Sequence, residues 1–136
     1  MKKFIVDNQV FKREVLVMTD CSRKEANKYL LSLGNKLFFE ESDDAIGGLC
    51  VGQEGVFNLM HLNTLSKDID SMGCLVHEIA HLVVRLCEDK GVSVISNIQD
   101  GGVGDEVFAY LSEFYFNEIM NKAFPKKKKV KVVKMK

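Results

Sequence analysis

Between Asp68 and Glu88 the sequence repeats apolar side chains at helical spacing, with Leu75, Ile79, Leu82 and Val83 on one stripe. This predicts a helix of about six turns, with Asp68 and Asp70 at its positive end and Gly91 stopping it. A helix that long with a single apolar stripe needs a surface to bury it against, so the rest of the chain must supply one.

Inside this helix stands His77-Glu78-Ile79-Ala80-His81, an H-E-x-x-H pattern. Residues four apart share a helix face, so both imidazoles can point at one ion. Glu78 lies one step round, within reach of a water on that ion rather than of the ion itself. Shuffling this composition produces the pattern in roughly 0.3% of sequences, which makes its mid-helix position informative. Two plainer readings use the same residues: a metal-free helix with two hydrogen-bonded histidines, and a zinc site without catalysis.

A catalytic zinc takes three protein ligands and keeps one position open for water. No third His follows, since position 84 is Val and position 87 is Cys. Asp105-Glu106-Val107-Phe108-Ala109-Tyr110 opens a second predicted helix, from about Asp105 to Ala123, which Pro125 ends. The Gly-rich stretch Gln99–Gly104 lets the chain turn back, which predicts antiparallel helices with Glu106 about level with the histidines. Glu113, two turns on, is the competing ligand, or an acceptor for a ligand histidine N–H. Cys74 is either a thiolate that closes the coordination shell or a small buried apolar side chain. Arg85, four residues after His81, is either an anchor for a substrate carboxylate or a solvated helix position.

An H-E-x-x-H helix followed by a helix opening Asp-Glu-x-x-Ala resembles the gluzincin metallopeptidases. Its compact pairing with Glu106-Val107-Phe108-Ala109-Tyr110 is similar to small zinc-peptidase-like proteins encoded by tailed bacteriophages and prophages. The resemblance spans about Val56–Glu118. It implies a minimal zincin-like fold with Zn²⁺ held by His77, His81 and Glu106, and Glu78 as general base. It also implies a peptide or protein substrate laid along Val56–Leu62 as an edge strand, although an ordinary hairpin strand fits those residues equally. Thermolysin-like members carry Asp where this chain has Tyr110, which either supports a ligand or packs in the core. A reading from a different class is a zinc-binding structural or assembly protein of a phage particle, with little or no peptidase activity.

The remaining segments predict the surface that the long helix needs. Phe4–Val10 and Glu14–Met18 give at least one early strand. Ser22-Arg23-Lys24-Glu25 is a capping box, followed by Ala26, Tyr29, Leu30 and Leu33 at helical spacing and by Gly34 at a left-handed C′ position. Leu37–Phe39 is extended and Glu40–Asp44 an acidic turn. Ile46–Val51 and Val56–Leu62 flank Gly52-Gln53-Glu54-Gly55 as a β-hairpin, and Ser93–Ile98 is a short extended piece. His61, at the end of its strand, has no assigned role. The expectation is one α+β domain over residues 1–124: a small, mainly antiparallel sheet, an N-terminal helix and two packed C-terminal helices carrying the site.

Charge divides the chain in two. Its formal net charge is zero, yet residues 126–136 hold seven Lys and no acid, leaving twelve basic against nineteen acidic side chains before them. An acidic body argues against a nucleic-acid-binding face there, and the basic tail reads as a disordered extension that docks on an acidic surface or nucleic acid. Four scattered cysteines without a C-x-x-C pair predict a reduced, intracellular protein. The early polar residues are unlike a signal peptide and no apolar run approaches a membrane span, so the expected setting is the host cytoplasm, free or built into a particle.

Overall fold

Val15 and Val17 alternate with Leu16 and Met18 along one early segment, so both faces of the strand they form are apolar and both must be covered. The computed structural model describes residues 1–9, 12–34, 39, 48–53, 57–91 and 103–126, and among them the covering comes from helices on both faces of a sheet. The elements in order are β1 (Lys2–Asn8), β2 (Arg13–Thr19), α1 (Arg23–Ser32), β3 (Gly48–Gln53), β4 (Phe57–Leu62), α2 (Ile69–Asp89) and α3 (Val103–Ala123). The predicted pieces Ser93–Ile98 and Glu40–Asp44, and the tail beyond Lys126, lie outside the described residues.

The four strands run in the order β1-β2-β4-β3. Both β1 with β2 and β3 with β4 are antiparallel; the second is the hairpin expected from the sequence, and the first makes two paired strands where at least one was expected. The central pair, β2 with β4, is parallel, from Val15 opposite Asn58 to Thr19 opposite Leu62, so the sheet is mixed rather than antiparallel. The physical reason is the path of the chain: after α1 it re-enters at the edge as β3, running opposite to β2, and the β3–β4 hairpin then turns it back so that β4 lies beside β2 in the same direction. This path also places β4 in the interior and makes β3 the edge, correcting the expectation that Val56–Leu62 is an edge strand.

On one face Val6, Val15, Val17, Met60 and Leu62 join Leu75, Ile79, Leu82, Val83 and Leu86 of α2 and Leu111, Tyr115 and Ile119 of α3 in the main core. On the other, Met18 and Leu59 pack with Ala26 and Leu30 of α1 and with Phe39. Phe39 is held there by Asn27, whose Nδ2 donates to Phe39 O and whose Oδ1 accepts from Phe39 N, both at 2.8 Å. Among the described residues no helix is long and apolar enough to cross a membrane.

Local signals fix the helix ends. Ser22 and Glu25 form the expected capping box at α1, and Gly34 takes φ +74° just beyond it. Asp68 caps α2 by accepting from Ser71 N at 2.8 Å, and Gly91 ends the helix at φ +68°. Asp20 ties the ends of the parallel strands together. Its N–H donates to Leu62 O at 3.1 Å, and its Oδ1 accepts from Leu65 N at 3.2 Å, which fixes where the chain enters α2.

Candidate metal centre

The apolar stripe of α2 faces the sheet, so residues on its opposite side and flank are turned outward. His77 and His81 are both exposed there, one turn apart. Their Nε2 atoms stand 3.2 Å from each other, with the rings edge-on at 74°. Two ligands at the Zn–N length of 2.0–2.1 Å on a tetrahedral ion stand about 3.3 Å apart, so the pair fits two corners of a zinc site without rearrangement.

Glu78 behaves differently from its neighbours. It is only 5% exposed and is turned toward the edge strand, where Gly48 meets it. A Cβ at Gly48 would lie 3.0 Å from Glu78 Cγ and 2.8 Å from Leu62 Cδ2. The glycine is therefore what lets β3 come close to the carboxylate stem. Burial pushes the Glu78 carboxyl above its ordinary range, and His77, His81, Arg85 and Arg23 oppose that rise through their charges. Arg23 comes from the first turn of α1 and is 1% exposed, so a buried cation from a distant helix acts on this carboxylate.

The two other helix candidates for the metal do not join the histidines. Glu106 and Glu113 are both exposed on α3, and among the described residues no three His, Cys, Asp or Glu side chains are grouped closely enough to hold an ion. Helix geometry accounts for this. The Lys67 ammonium lies 5.3 Å from the Phe124 ring centroid, so the start of α2 is level with the end of α3 and the two run antiparallel. At 1.5 Å per residue, Glu106 then stands about 12 Å beyond the level of His77. Glu113 is nearly level with His77, but it falls between Leu111 and Tyr115, which face the core, and so points outward.

The remaining candidates have other surroundings. Cys74 is half-buried against the main core and lines a shallow cavity of about 250 Å³ with Asn63, Thr64 and Asp70, one turn before His77. Arg85 is half-buried and acts on Glu78. Tyr110 is 68% exposed and supports neither a ligand nor the core. His61, left unassigned by the sequence, is fully buried, with its Nε2 2.7 Å from Cys21 O and its ring against Phe39. A carbonyl can only accept, so this Nε2 carries the proton and the residue is part of the packing.

Sequence reasoning missed Gly48 and Arg23. Nothing local marks an arginine in an otherwise polar first turn as buried, whereas a Gly-Gly pair opening a strand was a visible sign of close approach. Searches against family models, curated proteins and solved structures returned no match to this chain.

Proposed function

We propose that this chain is a zinc-dependent peptidase in which His77 and His81 hold the metal and Glu78 is the general base. The observation that carries the reading is the 3.2 Å separation of the two Nε2 atoms beside a buried carboxylate. When bound, zinc would supply Lewis-acid polarisation of water and of a peptide carbonyl. Glu78 takes a proton from the attacking water at its carboxylate and delivers it to the departing amine. Gly48 lies against the stem of Glu78, and the burial of that side chain limits its movement. Among the described residues β3 has an unpaired edge, and an extended substrate would pair there through its backbone. Glu106 serves as third ligand only if the first turn of α3 moves toward the histidines on metal binding.

The test measures bound zinc and cleavage of a fluorogenic peptide library for wild type, His77→Ala/His81→Ala and Glu78→Gln. The proposal expects stoichiometric zinc in wild type, its loss in the double-histidine variant, and retained zinc with cleavage reduced about 10²–10⁴-fold in Glu78→Gln. Zinc bound in wild type and in Glu78→Gln, with no cleavage by either, would replace the peptidase reading with a metal-stabilised structural protein. Wild type that takes up no zinc after supplementation would end both.

A further inference from the structure

A second concave surface lies away from the histidines, where the end of β1 meets α3. Asp7 and Asn8 form one wall, and Val107, Tyr110, Phe114 and Glu118 form the other, around a groove of about 610 Å³. Its lining is mostly apolar with a carboxylate on each wall. β1 is also an edge strand. Lys122 Nζ donates to Ile5 O at 2.9 Å, so the Ile5 backbone faces outward. By the two-residue period of a strand, the Asp7 backbone faces the same way, into the groove. An occupant should therefore be extended, carry apolar side chains and be positively charged.

The sequence contains such a segment. Residues 127–136, outside the described residues, hold six Lys interleaved with Val130, Val132, Val133 and Met135. The groove opposes them with Glu118 on α3 and Asp7 on β1. The lengths agree as well. From the end of α3 at Ala123, Glu118 lies about 8 Å back along the helix, and Val107 about 17 Å further. Ten extended residues reach about 33 Å, enough for residues 127–136 to reverse and pass Glu118 on the way to Val107.

We propose that residues 127–136 fold back along α3 of the same chain and lie in this groove. Lysines meet Asp7 and Glu118, and the valines cover Val107, Tyr110 and Phe114. The proposal is independent of the metal centre.

Limited trypsin digestion of the full chain tests it, with cleavage after Lys129, Lys131 and Lys134 read by mass. Two variants remove the docking from opposite sides: Asp7→Lys/Glu118→Lys in the groove and Val130→Asp/Val132→Asp in the tail, the second leaving the described core untouched. Wild type should be cleaved about tenfold more slowly than either, with Tyr110 nitration slower in parallel and the protection weakened by high salt. Equal tail cleavage in all three overturns the proposal. Protection that vanishes on dilution shows the tail of a second copy in the groove, and protection seen only with an added DNA oligonucleotide shows a nucleic-acid partner; either result overturns docking within one chain.

Discussion

Gly48→Ala probes the contact that shapes the candidate centre. The new Cβ would meet Leu62 Cδ2 at 2.8 Å, Glu78 Cγ at 3.0 Å and His61 O at 3.2 Å. Leu62 is fully buried and the His61 carbonyl belongs to β4, so neither retreats without moving its neighbours. Overpacking of this kind costs about 1–3 kcal/mol, while replacing glycine in a strand returns about 0.5–1 kcal/mol of backbone entropy. The expected net loss is about 1–2 kcal/mol, a factor of about 5–30 in the folded-to-unfolded ratio. Urea unfolding followed by circular dichroism measures it, in wild type and in Glu78→Ala. Truncating Glu78 removes one of the three clashes, so the cost of Gly48→Ala should fall by about 0.5–1 kcal/mol in that background. A Gly48→Ala protein as stable as wild type, or a cost unchanged by Glu78→Ala, would refute the claim that β3 is seated against the carboxylate stem.

Other expectations follow from single contacts. Asn27→Ala removes both hydrogen bonds to the Phe39 backbone and should destabilise by about 1–3 kcal/mol in the same unfolding assay, with Asn27→Asp recovering only the accepting half. Tyr115 is fully buried, and burial pushes its phenol up to about 12 from an ordinary value of 10.0. Above pH 10 the unfolded chain releases this proton before the folded one does. Tyr115 therefore contributes a stability present below pH 10 and lost as pH rises toward 12, by up to about 2–3 kcal/mol. Alkaline unfolding curves should be shallower in that window for Tyr115→Phe.

Legibility in the sequence tracked how local each cause was. The capping box at Ser22, the caps at Asp68 and Gly91 and the hairpin of β3 and β4 each rest on residues a few positions apart, and each stands where the pattern put it. The α+β class followed from the same short-range signals. Strand order did not, because pairing of β2 with β4 depends on where a crossover through α1 lands. The same distinction divides the site. His77, Glu78 and His81 share one helix, so their relation is fixed by helical geometry alone. Glu106 was placed by counting along a second helix, and the level of that helix is set by packing near Lys67 and Phe124 that no sequence spacing encodes. Burial of Arg23 and closeness of Gly48 are tertiary facts of the same kind.

The lysine contacts between β1 and α3 bear on how the chain is made. Lys2 Nζ donates to Ala123 O at 2.8 Å, and Lys122 Nζ donates to Ile5 O at 2.9 Å, links that span 121 and 117 residues. During synthesis the first strand therefore emerges long before the helix that shields its free edge. Throughout that interval β1 can pair only with β2, and its outer backbone groups are open to another chain. A ribosome stalled before Lys122 would release a protein with most of its core in place and one sheet edge unguarded. The guarding of this edge thus waits for the last turn of α3, which joins the first strand to residues made more than a hundred positions later.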